Sequence, residues 1–238
     1  MNIAIVGYGR MGKEIEQVAL ERGHQVILKV DADNFNSVTP IDFKTIDVAI
    51  EFSIPQSAFS NINLCLDNNI PVVSGTTGWL DRIEDIIDRC EKENQTFFYA
   101  SNYSLGVNLF FKLNEQLAKL MYNFPDYNIQ LEETHHTKKL DAPSGTAITL
   151  AEEIIKNNSR IKSWEKDNNN NVDSIPIKSF RKGLVSGNHK VFYESEFDKI
   201  MIEHDAKSRK GFALGAVIAA EFISDKKGYY TMNDLLEI

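Results

Sequence analysis

The chain has 238 residues, 42% of them hydrophobic and 25% charged, with a formal net charge of −8. That length allows one large domain or two small ones with a sizeable core, and the balance is that of a globular rather than a disordered chain. The acidic balance argues against nucleic-acid binding, which needs a basic surface, but leaves room for a small anion held by a local cluster of positive charge. Cys65 and Cys90 fall in amphipathic stretches without metal-ligand spacing and read as buried thiols. No signal peptide precedes the strand-like Asn2–Val6, and no apolar run approaches the roughly 20 residues of a membrane span. A cytoplasmic protein without a membrane partner is expected.

The first hundred residues alternate short apolar runs with helical periodicities. Strands are expected at Ile3–Val6, Val26–Val30, Val48–Phe52, Val72–Val73 and Phe97–Ala100, which are rich in β-branched and aromatic residues. Between them lie three helical faces: Ile15, Val18, Ala19 and Arg22; Ala58, Ile62, Cys65 and Leu66; Ile83, Ile86, Ile87 and Cys90. Such alternation predicts an α/β fold, a Rossmann-like parallel sheet with helices on both faces.

After residue 100 the pattern changes. A long helix is expected from Val107 to Tyr122, with Leu109, Leu113, Leu117, Leu120 and Met121 turned to a core. A strand over Asn128–Thr134 and a helix after Ser144, carrying Ile148, Ala151, Ile154 and Ile155, follow. The asparagine-rich stretch 166–171 reads as a loop. Beyond it, Ile175–Phe180, Lys190–Ser195 and Lys199–His204 suggest an antiparallel meander. A last helix, with Ala216, Val217, Ala220 and Ile223 in phase, is expected to stop at Gly228. The organisation expected is a dinucleotide-type domain (1–103 plus 212–238) interrupted by an inserted α+β domain (104–211) for substrate binding and oligomerisation, whose sheet is mixed and largely antiparallel.

Gly7-Tyr8-Gly9-Arg10-Met11-Gly12 matches the three-glycine dinucleotide fingerprint. The glycines serve a tight turn, close approach of backbone to a diphosphate, and close packing of the next helix, whose N-terminus attracts the anion. The motif follows an apolar strand and opens an amphipathic helix, and Asp31 ends the next strand, where a carboxylate can accept from the adenosine ribose hydroxyls. A carboxylate there repels a 2′-phosphate, and Ala32 offers no compensating charge, so NADH is favoured over NADPH. Arg10 and Lys29 remain within possible reach of such a phosphate.

The segment from Glu133 to Thr146, ETHHTKKLDAPSGT, concentrates two imidazoles and two ammonium groups at a strand end. Adjacent strand residues point oppositely, so His135 and His136 have different tasks. Ser144 is an N-cap candidate, and the amides of Gly145 and Thr146 form a second anion site. Helix amides for orientation, a lysine for charge, and an imidazole or ammonium at the reacting centre suit a substrate bearing carboxylates. Lys138 reads as solvated surface; Arg181, Lys182, Lys207 and Arg209 could add positive potential around the mouth of the site, although singly each reads as surface charge.

With these motifs, and with Glu51-Phe52-Ser53-Ile54-Pro55, Gly75-Thr76-Thr77-Gly78, Ser101 to Asn108, Ser208-Arg209 and Phe212 to Ala216, the chain resembles the 4-hydroxy-tetrahydrodipicolinate (dihydrodipicolinate) reductases over nearly its whole length. The glycine loop is widely shared; the HHxxK-x-DAPSGTA string is specific. The resemblance implies that Gly75, Thr76, Thr77, Ser101, Asn102, Tyr103 and Ser104 line the nicotinamide side of the cofactor. It implies that Lys139 is the proton donor, assisted by His135, and that His136, Gly145 and Thr146 bind a substrate carboxylate, with Ser144 at the same helix start. It further implies a homotetramer formed through the inserted domain, where Val191, Phe192, Ile200 and Ile202 could meet a partner's sheet or simply cover their own helices.

The chain departs from the family's commoner pattern in its shorter glycine loop, in Glu51 for aspartate, Asn188 for glutamate and Ala32 for arginine. The implied reaction is reduction of the dehydrated form of 4-hydroxy-tetrahydrodipicolinate by NAD(P)H, without a metal, in the diaminopimelate and lysine pathway. It requires the nicotinamide and the His135–Lys139 cluster to meet across one cleft. The alternatives are another two-domain NAD(P)-dependent dehydrogenase, a nucleotide-binding sensor without catalysis, and a structural interaction protein that binds no cofactor.

Overall fold

A computed structural model describes residues 1–167, 171 and 173–237. The chain divides into two compact units: Met1–Leu105 with Lys210–Ile238, and Gly106–Arg209.

The first unit alternates β1 (Asn2–Val6), α1 (Arg10–Glu21), β2 (Gln25–Val30), β3 (Val48–Glu51), α2 (Pro55–Asp67), β4 (Val72–Ser74), α3 (Ile83–Glu93) and β5 (Thr96–Tyr99). The second holds almost all of α4 (Leu105–Met121), then β6 (Asn128–His135), α5 (Gly145–Asn157), β7 (Ser163–Lys166), β8 (Ser174–Arg181), β9 (Asn188–Glu194) and β10 (Lys199–Asp205). The chain then returns to the first unit with α6 (Lys210–Ile223), β11 (Gly228–Tyr230) and α7 (Met232–Leu236).

The strands of the first unit form one parallel sheet in the order β11-β5-β4-β3-β1-β2. Alternate residues leave a strand on opposite faces, and both faces here are covered, so the central strands are apolar throughout. Ile3, Ile5, Ile50, Val73 and Phe98 pack with Ile15, Val18 and Ala19 of α1 and with Ala216, Val217 and Ala220 of α6. Ala4, Val6, Ala49, Val72 and Phe97 face Ala58, Ile62 and Leu66 of α2 and Ile86 and Cys90 of α3. Gly228 does not stop the last helix, which ends at Ile223; it opens β11 at φ +113°. That strand, only Gly-Tyr-Tyr, is too short to register as a hydrophobic period.

The second unit's sheet has the order β10-β9-β6-β8-β7. β6 and β7 each pair with β8 in parallel, while β9 pairs antiparallel with both β6 and β10. The expected meander is therefore corrected. β8 and β9 are consecutive in the chain but not neighbours, because β6 lies between them, and the parallel strand β7 was not foreseen. Of the expected loop at 166–171, Lys166 closes β7 and residues 168–170 lie outside those described.

One face of this sheet, with Ile129, Leu131, Ile175, Ile177, Val191 and Tyr193, packs on Phe110, Ala118 and Met121 of α4 and on Ala147, Leu150, Ala151 and Ile154 of α5. The buried face of α4 is not the expected leucine stripe. Val107, Phe110, Asn114, Ala118 and Met121 are buried, whereas Leu109, Leu113 and Leu120 are 52–66% exposed. The helix is apolar on more than one side. The face that packs carries small Ala118, and also Asn114, whose amide reaches the Leu150 carbonyl at 3.0 Å. Val191 and Ile202 belong to the helix-covered face, while Phe192 and its register partner Met201 point the other way.

Candidate active site

In the first unit the glycine loop is a shape made of backbone. Gly7 sits at φ +93°, and a Cβ there would lie 2.2 Å from the Phe52 carbonyl oxygen. A Cβ on Gly12 would lie 2.6 Å from the Gly7 carbonyl oxygen, so helix and turn are in contact. At Gly9 an added Cβ would meet nothing within 4 Å. Gly9 is also the N-cap of α1, which among the described residues has no side-chain cap and no acid in its first turn. Open space facing uncapped N–H groups is what a diphosphate requires.

Two cavities adjoin this loop. One, of about 420 Å³, is lined by Gly7, Gly9, Asp31, Ala32, Phe35 and Phe52 among others. The other, of about 340 Å³, is lined by Gly9, Arg10, Met11, Phe52 and Gly75-Thr76-Thr77. The residues present therefore fit a dinucleotide: Asp31 lines the first cavity and the Gly75–Thr77 turn the second, with Gly9 common to both.

Several expected contacts acquire structural duties. The Tyr8 hydroxyl is hydrogen-bonded to Glu16, and Lys29 pairs with Glu16 at 2.5 Å while lying over the Tyr8 ring. These bonds hold the Glu16 carboxyl below its usual range, the Lys29 bond most strongly. Lys29 is thus already matched. Thr76 is buried, accepts from the Ser53 amide and donates to the fully buried Glu51 carboxylate, which Ser74 and Ser53 also serve. Glu51 fixes the turn beneath the second cavity. Tyr103 is a core residue: its ring packs on Phe52 and Phe98, and its hydroxyl donates to the Ser74 carbonyl. Ser101 is exposed, and the Asn102 side chain accepts from the Ser104 amide at 2.9 Å.

The second unit gathers the other expected residues. His135 ends β6 with its side chain on the helix-covered side; His136 leaves the strand, and its Nδ1 is buried without a partner among the described residues. His135 Nδ1 is hydrogen-bonded to Glu133. Burial alone would raise the Glu133 carboxyl, but the bonds from His135 and Arg181 outweigh it and bring it down to about 2. An ionised Glu133 can only accept, so Nδ1 carries the proton and Nε2 is left for chemistry. Lys139 pairs with Asp141 at 2.7 Å, and this bond lowers the Asp141 carboxyl. Lys138 is exposed.

Ser144 caps α5, accepting from the Ala147 amide at 3.3 Å, and is also bonded to His189 Nε2 at 3.0 Å. The His189 ring stands edge-on to His135 with centroids 5.1 Å apart. Burial, reinforced by His135, pushes His189 down to about 3, so it is neutral. A Cβ on Gly187 would come within 3.1 Å of His135 Nε2, so glycine here leaves the ring room without crowding. A chain of contacts thus joins His135 through His189 to the α5 N-terminus, where an added Cβ on Gly145 would meet open space.

Glu133, Arg181, Gly187 and His189 were not singled out as site residues by sequence reasoning. Arg181, expected at most to add positive potential at the mouth of the site and singly read as surface charge, is instead the partner of a fully buried carboxylate. The signal available was weak: Glu133 lies two residues before His135 on a strand, hence on the same face.

A glycine-cradled dinucleotide site in one unit and a proton-handling cluster beside a helix N-terminus in the other define a pyridine-nucleotide-dependent oxidoreductase. The family model described as dihydrodipicolinate reductase, N-terminus, matches residues 1–103, and that described as dihydrodipicolinate reductase, C-terminus, matches residues 106–236. The chain belongs to the dihydrodipicolinate reductase family. It is 53% identical over 236 residues to a 4-hydroxy-tetrahydrodipicolinate reductase of Christiangramia forsetii, covering 99% of this chain and 98% of the relative. Among solved structures, a dipicolinate-bound dihydrodipicolinate reductase from Paenisporosarcina sp. TG-14 shares the fold, with TM-score 0.77, 23% identity and 98% of each chain covered. A probable dehydrogenase from Thermotoga maritima shares it more distantly, with TM-score 0.56, 9% identity and 99% and 92% of the two chains covered.

Proposed function

We propose that the protein reduces the dehydrated form of 4-hydroxy-tetrahydrodipicolinate to tetrahydrodipicolinate, with NADH in preference to NADPH, in cytoplasmic diaminopimelate and lysine biosynthesis. The observation that carries this reading is the folded HHTKKLDAPSGTA segment: an imidazole held by a buried carboxylate, an ammonium held by Asp141, and a capped helix start that His189 joins to the imidazole, while Arg181 joins the carboxylate to the Lys139–Asp141 loop.

The first unit holds the cofactor through the Gly7–Gly12 loop, Asp31 and the Gly75–Thr77 turn; the bound nicotinamide supplies hydride. The protein's share is orientation, charge neutralisation and proton delivery. His136 and the amides of Gly145 and Thr146 take the substrate carboxylates. Lys139, paired with Asp141, gives its proton to the carbanion or enamine that develops in the substrate ring, and His135 assists. Asp31 supports NADH, since its carboxylate lines the cavity beside the glycine loop and would repel a 2′-phosphate there, and Lys29 is already paired with Glu16.

The test follows NADH oxidation while pyruvate and aspartate semialdehyde generate the unstable substrate. Lys139→Ala is expected to lower turnover roughly 10²–10⁴-fold while NADH still binds. Turnover near wild type removes Lys139 from the reaction, and a large NADPH advantage overturns the cofactor preference. A homotetramer is the proposed assembly, supported by the sheet face opposite the helices, where Phe180 and Met201 are 46% exposed; a monomer in light scattering refutes it.

A further inference from the structure

Arg181 is the last residue of β8, a strand that lies beside β6 in parallel register with His135 opposite Arg181. Its guanidinium has five N–H donors in a rigid fork, and five acceptors meet it. Nε donates to the Lys139 carbonyl at 3.3 Å. One terminal nitrogen donates to Glu133 Oε2 at 3.1 Å and to the Phe180 carbonyl at 2.7 Å. The other donates to Glu133 Oε1 at 2.9 Å and to the Asp141 carbonyl at 2.6 Å.

These acceptors belong to two otherwise separate pieces of the site. Glu133 is wholly buried and orients the His135 imidazole through Nδ1. The carbonyls of Lys139 and Asp141 flank Leu140 in the loop that carries the proposed proton donor, and the Asp141 carboxylate in turn holds the Lys139 ammonium. One side chain therefore grips the carboxylate that aims the imidazole and the backbone that places the ammonium.

We propose that Arg181 is a positioning residue of the reaction, fixing the imidazole of His135 and the ammonium of Lys139 relative to one another by bridging Glu133 to the Lys139–Asp141 loop. The inference rests on the roles assigned above to His135 and Lys139. A lysine at this position keeps the charge but presents a single nitrogen, which cannot serve the carboxylate and both loop carbonyls in these directions. The reacting groups would remain present but be misplaced, and displacements of the order of 1 Å cost roughly 100-fold.

The experiment compares Arg181→Lys, Arg181→Ala and Glu133→Gln with wild type in the coupled NADH assay, alongside His135→Ala and Lys139→Ala. Arg181→Lys is expected to lower kcat at least tenfold while KM for NADH stays within twofold, and added guanidinium is expected to restore part of the lost rate to Arg181→Ala, whereas methylammonium is not. A merely structural brace would lower the melting temperature without this split and without selective rescue. Arg181→Lys with kcat within twofold of wild type overturns the proposal, as does a loss shared equally by kcat and NADH affinity. If Arg181→Lys does not yield soluble protein, Glu133→Gln, which keeps the shape, carries the same expectation and the same refutation. Full turnover in His135→Ala and Lys139→Ala defeats the assignment of those two residues; losses there beside normal turnover in Arg181→Lys defeat the positioning role alone.

Discussion

The two units build their candidate sites from different materials. The first unit uses backbone: a turn that only glycine fits, an uncapped helix start, and a Gly-Thr-Thr turn pinned from below by Glu51. The second uses side chains drawn from separate strands and a loop: Glu133 and His135 from β6, Arg181 from β8, His189 from β9, and Lys139 and Asp141. A site of backbone fails by steric clash and all at once. A site of charged side chains fails by degrees, through misplacement or through protons.

The contrast breaks first at Gly7. Gly7→Ala puts a methyl group 2.2 Å from the Phe52 carbonyl in a backbone conformation that alanine resists, at a cost of about 3 kcal/mol or more, which is roughly 100-fold in an equilibrium. Thermal melting and NADH titration should both register the change. Wild-type values in both would show that the loop can relax around a side chain.

The second unit should instead be sensitive to acid. His189 is held neutral in the fold down to about pH 3, whereas an unfolded histidine takes up a proton near 6.5. Its contribution is complete above pH 6.5 and shrinks as pH falls, by about 1.4 kcal/mol per unit, because protons favour the unfolded chain. Glu133, held down to about 2, adds a second loss that begins only below the ordinary carboxylate value near 4.5 and runs to about 2. Urea midpoints measured from pH 7 to 4.5 should therefore fall less steeply in His189→Gln than in wild type; parallel slopes would refute this account.

A smaller effect separates the two units' sites by kinetics. In Gly187→Ala the new methyl group would crowd His135 Nε2 at 3.1 Å, so the ring must yield by a few tenths of an ångström. The expected loss in kcat is roughly tenfold, with KM for NADH unchanged. Equal changes in both parameters would mean that the substitution acts on the fold rather than on the imidazole.

The same contrast explains what the sequence disclosed. The glycine loop, the Ser144 cap and the strand–helix alternation are local, governed by residues a few places apart, and they can be read directly from spacing. The Glu133–Arg181 pair spans 48 residues and the Ser144–His189 bond 45, and nothing in residue type tells an arginine paired with a buried carboxylate from a solvated one. The leucines of α4 misled for a related reason: the helix is apolar on several sides, and the choice of face was made by the sheet it meets, through Phe110, Ala118 and Asn114. β6 lies between β8 and β9 although it precedes both in the chain, an order that no local pattern encodes.

The late return of the chain has a consequence for synthesis on the ribosome. β11 pairs with β5, and α6 seals the sheet face carrying Phe98, yet all of Gly106–Arg209 is made between them. At 5–20 residues per second that interval lasts roughly 5–20 s. During it the nascent parallel sheet presents a bare edge strand, Thr-Phe-Phe-Tyr, that is wholly buried in the finished protein. Such an edge can recruit another chain's strand, so this is the interval in which a chaperone would matter most to the yield of the folded protein.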